Sequence, residues 1–296
     1  MKLRELGEDR LLNKLLPSLP IGHDVILGPG DDCAVLRGDT VDKVLLLKTD
    51  CVVERVHFTA ETRPSAIGWK AMARPLSDFA AMSGVPQFAL ITVVTPADST
   101  LRWMTGLYRG LQKAARLFNI SIVGGETSTT DGPVMISVSL LGWAERDRWV
   151  PRSGAQAGDE LFVTGRLGGS LGGRHLSFTP RITESRWLTA HFDVHAMMDL
   201  SDGLGADLPR LALASGVDVE LDESALPRNS RCTIKNAISD GEDYELLFAV
   251  ARDEAALLQR RWRRRFPRLP LTRIGRFVKK RTSTQTKLPC GYVHFQ

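Results

Sequence analysis

Six short motifs carry the acidic side chains best placed for chemistry. They are Asp31 and Asp32 in Gly28-Pro29-Gly30-Asp31-Asp32, Asp50 in Lys48-Thr49-Asp50, Asp78 in Leu76-Ser77-Asp78, Glu126 in Gly124-Gly125-Glu126-Thr127, Asp199 and Asp202 in Asp199-Leu200-Ser201-Asp202-Gly203, and Glu242 in Gly241-Glu242-Asp243-Tyr244. Taken singly, an aspartate before glycine is a turn residue and one at a helix start is an N-cap. Taken together they say more. Asp50, Asp78, Glu126 and Asp199 each adjoin an apolar segment, which implies partial burial. Carboxylates gathered in one place repel and shift their pKa values unless cations neutralise them. Hard oxygen ligands select magnesium or calcium. Magnesium held between carboxylates and phosphate oxygens is the usual equipment of phosphoryl transfer, where catalysis is positioning and charge neutralisation.

The common nucleotide-binding templates are missing. There is no Gly-x-x-x-x-Gly-Lys-Ser/Thr loop and no His-Arg-Asp loop. Gly165-Arg166-Leu167-Gly168-Gly169-Ser170 could cradle a phosphate through backbone N–H groups, although such a run is more often a plain turn. Cys33, Cys51, Cys232 and Cys290 are scattered, which argues against a zinc site or a disulfide framework. The run Arg260-Arg261-Trp262-Arg263-Arg264-Arg265 follows a helical pattern and reads as a solvated basic face; no second basic stripe supports nucleic-acid binding. No stretch of 18 apolar residues exists, and the N-terminus lacks the apolar core of a signal peptide, so the expected location is the cytoplasm, away from membranes.

The elements that must position these groups can be read from periodicity. The chain has 296 residues, 43% of them hydrophobic and 25% charged, with a net charge of +5, which suits one large or two ordinary soluble domains. Residues 3–16 have the apolar spacing of an amphipathic helix. Val44 to Leu47 reads as a buried strand delivering Thr49 and Asp50 at its end. Residues 65–82 read as a helix with a polar interruption, Phe88 to Val94 as a strand, and 98–118 as a long helix. Ile120 to Val123 reads as a strand ending in a Gly124-Gly125 turn, and Val134 to Leu141 as another strand. After a polar stretch containing Pro151, Gly154 and Gly158 come a strand at Glu160 to Thr164, a helix after Asp202-Gly203, and a buried strand at Leu246 to Val250. Regular βαβ alternation is missing, so the expected class is α+β: two mixed α/β domains, residues 1–148 and 149–296.

The ordered motifs resemble those of the thiamine-monophosphate kinases, relatives of aminoimidazole ribonucleotide synthetase. The matching segments include Gly30-Asp31-Asp32-Cys33-Ala34-Val35-Leu36, Thr49-Asp50-Cys51-Val52-Val53-Glu54-Arg55-Val56-His57-Phe58, Gly68-Trp69-Lys70-Ala71-Met72-Ala73 and Leu76-Ser77-Asp78-Phe79-Ala80-Ala81-Met82. Further on come Gly124-Gly125-Glu126-Thr127, Arg152-Ser153-Gly154, Asp199-Leu200-Ser201-Asp202-Gly203, Gly241-Glu242-Asp243-Tyr244-Glu245-Leu246 and Gly291-Tyr292-Val293-His294-Phe295. The resemblance implies direct transfer of the ATP γ-phosphoryl group to thiamine monophosphate with several Mg2+ ions, and no catalytic side chain beyond metal and positioning. It implies Asp32, Thr49, Asp50, Asp78, Glu126, Asp199 and Asp202 as metal ligands. Gly125, Glu126, Arg152 and Ser201 would contact ATP, and His57, Glu242 and Tyr292 the thiamine phosphate. It further implies a homodimer formed through a mainly antiparallel N-terminal sheet, and a C-terminal α+β domain.

Departures accompany the match. Lys48 stands where the family usually has a small hydroxyl residue, Glu126 where it usually has aspartate, and Pro75 where asparagine is common. These leave open a related enzyme with another acceptor, or a paralogue that binds nucleotide without turnover.

Overall fold

A computed structural model describes residues 2–280 and 291–292. Cys290 and the Val293-His294-Phe295 part of the terminal motif lie outside the described residues. In chain order the first half contains α1 (Leu3–Leu6), α2 (Glu8–Leu15), β1 (Val25–Leu27), β2 (Ala34–Arg37), β3 (Lys43–Val53), α3 (Pro64–Ala81), β4 (Val85–Thr95), α4 (Leu101–Leu117), β5 (Ser121–Thr129) and β6 (Met135–Glu145). The second half contains β7 (Glu160–Thr164), α5 (Ile182–Thr189), β8 (Val194–Asp199), α6 (Leu204–Ser215), β9 (Val217–Leu221), α7 (Ile234–Ser239), β10 (Leu246–Val250), α8 (Ala255–Arg265) and β11 (Leu271–Lys279).

Among the described residues the strands form two sheets. The first has the order β1-β2-β3-β6-β4-β5 and is antiparallel except for the β4–β5 pair. The second has the order β8-β10-β7-β11-β9 and is antiparallel throughout. The α+β class and the mainly antiparallel N-terminal sheet are therefore observed.

Two expectations from periodicity need correction. The helix expected over 3–16 is broken at Gly7 into α1 and α2. Gly124 and Gly125 do not form a turn: β5 runs through both, Gly125 pairing with Ile91 of β4. At Gly125, φ is 154°, and a Cβ would stand 1.8 Å from the Ile91 carbonyl oxygen, so only glycine lets the two backbones pair.

Alternation along the strands sets the faces of the first sheet. On β3 the inner face carries Val44, Leu46, Lys48, Asp50 and Val52. With Ile136, Val138 and Leu140 of β6 and Ala89, Ile91 and Val93 of β4, the apolar members pack against α3 and α4 as one core. The opposite face of the sheet is open. There Leu47, Phe88 and Leu90 are 44%, 42% and 49% exposed. The second sheet is covered on both sides, by α6 and α7 on one and by α5 and α8 on the other, which is why β7 and β10 are buried at every position. The C-terminal end of α3 serves this second unit too: Ala80 and Ala81 pack with Phe162, Leu188 and Phe248.

Candidate active site

Three carboxylates from three separate elements meet. Asp32 lies in the loop before β2, Asp78 in the last turns of α3, and Asp199 at the C-terminal end of β8. One carboxylate oxygen from each lies within 4.8 Å of the others, and all three residues are buried. Burial above all pushes Asp78 well above the usual carboxylate range; the Lys48 ammonium opposes the shift, and Asp50, Asp199 and Asp32 reinforce it. Asp199 is pushed up to about 7, again first by burial, then by the charge of Asp32, while a hydrogen bond from Ser77 and the Lys48 and Arg152 cations oppose it. A fold that assembles such a costly group and keeps it out of water prepares a place for cations.

The surrounding groups fit that reading. The Arg152 guanidinium donates to Asp32 Oδ1 from both Nε, at 3.2 Å, and its terminal nitrogen, while the Arg152 backbone N–H donates to Asp31 Oδ2 at 2.9 Å. Asp32 Oδ2 is buried with no hydrogen-bond partner among the described residues. An unpartnered carboxylate oxygen costs free energy that a metal ion would recover. The oxygen-only donor set and the unused Asp32 oxygen fit magnesium, a hard cation that binds one or two carboxylates together with phosphate oxygens.

Beside the triad, Lys48 Nζ is 3.2 Å from Asp78 Oδ1. Asp50 lies on the same face of β3 and is half-buried. Burial works against the charge on Lys48, but Asp78 and Asp50 outweigh it and raise its pKa above the ordinary lysine value.

Other expected metal ligands stand apart from the triad. Thr49 projects from the opposite face of β3, where its hydroxyl accepts a hydrogen bond from Ser139 at 3.0 Å. Glu126 is exposed on β5 and aligned with Thr92 of β4, which is aligned with Ser137 of β6, so all three belong to the open face. It is three strands from β3, or roughly 14 Å at the usual strand spacing. Asp202 is bound to Arg210 at 2.5 Å, and its backbone N–H donates to Asp207 Oδ2 at 3.0 Å.

Two of the three expected substrate contacts, His57 and Glu242, meet at a lysine to which the motifs gave no role. Lys70 of α3 is fully buried; its ammonium donates to the His57 carbonyl at 2.8 Å and to the Glu242 carboxylate. Burial lowers the Lys70 pKa to about 8, against the opposing charge of Glu242. The His57 Nδ1 accepts the Val53 backbone N–H at 3.0 Å, which places the ring proton on Nε2 in the neutral form. Glu242 Oε1 accepts from the Tyr244 hydroxyl at 3.2 Å.

The segment carrying Glu242 is wound tightly. Glu242 and Tyr244 both have positive φ, 54° and 52°. The turn is pinned to the Asp199–Asp202 loop by two backbone bonds, Glu242 N–H to the Ser201 carbonyl at 2.7 Å and Tyr244 N–H to the Leu200 carbonyl at 2.8 Å. Non-glycine residues in this region are strained and persist where surrounding structure fixes them, often at functional sites. Tyr292 joins the same loop, its N–H donating to the Asp202 carbonyl at 2.8 Å. Thus Ser201, Glu242 and Tyr292 stand along one pair of loops, and Arg152 stands against the triad.

Arg74 is a second residue outside the sequence reading. It lies one helical turn from both Lys70 and Asp78, donates to the Cys51 carbonyl at 2.8 Å, and leaves its buried Nε unpartnered among the described residues.

The comparisons with known proteins agree with this architecture. Residues 30–144 match the family described as AIR synthase related protein, N-terminal domain, and residues 173–286 match the corresponding C-terminal domain. The thiamine-monophosphate kinase of Rhodopirellula baltica is 40% identical over 296 residues, covering 91% of this chain and 92% of the relative. That of Aquifex aeolicus is 35% identical, covering 93% of each. The solved structure of AaThiL complexed with AMPPCP and TMP superposes with a TM-score of 0.83 at 34% identity, covering 99% of both chains. Fold and site thus define a two-domain protein of the AIR synthase related class. Within it, the chain belongs to the thiamine-monophosphate kinase family.

Proposed function

We propose that the chain transfers the γ-phosphoryl group of ATP to the phosphate of thiamine monophosphate, giving thiamine diphosphate and ADP. The observation that carries this reading is the convergence of Asp32, Asp78 and Asp199, with one Asp32 oxygen unused. The relatives that support it are kinases of this name, and one is complexed with AMPPCP and TMP.

Asp32, Asp78 and Asp199, with Asp50 beside them, hold Mg2+ in this reading. When bound, Mg2+ neutralises the phosphates and lets two polyanions approach. Arg152, held in place by Asp32, offers its remaining guanidinium N–H groups to the ATP phosphates. A phosphate oxygen of the acceptor forms the new P–O bond while the bond from Pγ to the bridging oxygen of ADP breaks. The attacking oxygen is already ionised near neutral pH, so no side chain has to remove a proton. Lys70 sets the position of Glu242, whose carboxylate and the Tyr292 ring complement the cationic thiazolium. His57 lines the same acceptor side, while Gly125, Glu126 and Ser201 complete the ATP contacts; Asp202 extends the metal set, and Thr49, on the open face with Glu126, would reach metal only across a dimer.

Glu126 serves this reading only across a dimer. Its side chain belongs to the open face, so a second copy laid on that face would receive it. In this reading the two units divide at residues 148 and 149, and the chain works in the cytoplasm. No helix among the described residues is long and apolar enough to cross a membrane.

The test is an assay of purified chain with ATP, Mg2+ and thiamine monophosphate. The expected result is thiamine diphosphate and ADP in equal amounts. Turnover only with another acceptor, or ADP release without thiamine diphosphate, would overturn the assignment.

A further inference from the structure

We propose that Lys48 is a built-in cation of the acidic site: its ammonium takes the place of one divalent ion, so the chain holds its carboxylates together without full metal loading and binds one Mg2+ fewer than the same site would with a neutral residue at position 48. This rests on the reading that the carboxylate group holds metal.

Strand geometry makes the placement deliberate. Lys48 occupies an inner-face position of β3 between Leu46 and Asp50, aligned with the buried Leu140 of β6. An apolar side chain is what the neighbouring pattern requires there. Instead a lysine stem extends from an interior strand and delivers its ammonium 3.2 Å from Asp78, which supplies one of the three converging oxygens. The Lys48 and Asp78 side chains are only 22% and 9% exposed, so bulk water does little of the screening.

Charge balance sets the consequence. Five carboxylates, Asp31, Asp32, Asp50, Asp78 and Asp199, stand near three cations: Lys48 at Asp78, Arg152 at Asp32, and Arg74, which is shared among Tyr244, Asp50, Glu242 and Asp78. Lys48 therefore cancels part of the site's negative charge before any metal arrives, and the drive to bind several divalent ions is correspondingly reduced. Lys48 does not fill the site: Asp32 Oδ2 still points its lone pairs at no donor among the described residues. One cation position is pre-empted while another stays ready for metal.

Mn2+, visible by electron paramagnetic resonance, counts the ions directly. Wild type, Lys48→Met and Lys48→Arg would be titrated with Mn2+ in the presence of a non-hydrolysable ATP analogue, and each melted in EDTA and in Mn2+. Lys48→Met is expected to bind one more Mn2+ per chain than wild type. In EDTA its Tm is expected to fall on the order of 5 °C below wild type, recovering with Mn2+. Lys48→Arg, which keeps the charge, is expected to bind the wild-type number. Equal Mn2+ counts in wild type and Lys48→Met, with equal melting in EDTA, would overturn the proposal, as would an added ion in Lys48→Arg. If Lys48→Met folds in neither buffer, Lys48→Gln, which removes the charge but stays polar, takes its place: one more ion than wild type upholds the proposal and an equal count removes it. Because ion counting needs no turnover, a chain that counts as expected yet forms no thiamine diphosphate would sink the proposed activity and leave this inference standing.

Discussion

Asp78 stands where burial, two further carboxylates and an ammonium meet. Its cost to the fold makes sense only as part of a binding site, since a buried carboxylate with like-charged neighbours destabilises a protein that has no use for it. Asp78→Asn is isosteric and removes the charge. It is expected to lower kcat about a hundredfold or more, the scale of losing a group that organises transition-state charge, while Tm in EDTA moves by only a few degrees. Wild-type turnover by the variant would take Asp78 out of the site. Several of these residues were legible because Asp78 and Asp199 adjoin apolar segments and Asp32 lies in a motif of small residues. Glu126 was grouped with them on the same grounds, and strand parity separates it: once β5 runs through Gly124 and Gly125, its side chain belongs to the other face. Lys70 and Arg74 had a signal that went unused. They recur at four-residue spacing before Asp78 on a helix that is otherwise apolar, a charged stripe facing inward. What the chain alone could not give is the partner of each charge, because Lys70 and Glu242 are 172 positions apart.

At the scale of elements, the placement of Asp78 depends on how closely α3 lies on α4. A Cβ on Gly68 would stand 2.0 Å from the Leu107 carbonyl oxygen, and one on Gly110 would stand 2.1 Å from the Ser65 carbonyl oxygen. The two glycines make a reciprocal contact in which each backbone fills the space a side chain would take. Gly68→Ala forces the helices apart and is expected to cost about 1–3 kcal/mol, the usual penalty for overpacking, seen as a fall in Tm of several degrees; an unchanged Tm would show that α4 can slide without cost. The long segments themselves were readable. Phe88 to Val94 is rich in β-branched and apolar residues, and α4 has a capped start, Thr100 accepting the Trp103 N–H at 3.1 Å, before a strongly one-sided apolar stripe. The misread pair, Gly124-Gly125, looks like a turn by composition. Its role as strand follows from the neighbouring backbone of β4, which no local pattern contains.

For the whole molecule, the open face of the first sheet is the surface that most asks for a partner. Leu47, Phe88 and Leu90 lie on it, beside the hydroxyls of Thr49, Ser137 and Ser139. A second copy of the chain would cover this mixed face and carry Glu126 toward a neighbour's site. If the proposed dimer forms through this face, Leu47→Glu combined with Leu90→Glu is expected to leave the chain monomeric in sedimentation velocity at micromolar concentration, and to lower activity with it. A wild-type chain that sediments as a monomer would contradict the arrangement.

The tip of α3 adds one more consequence. Because Ala80 and Ala81 are seated among Phe162, Leu188 and Phe248, the helix that presents Asp78 is also a peg driven into the neighbouring unit. Prising the two halves apart to admit nucleotide would pull that peg from its socket. With that peg seated, heat is expected to melt both halves in a single cooperative step; two separate transitions in calorimetry would show that the socket holds them only weakly.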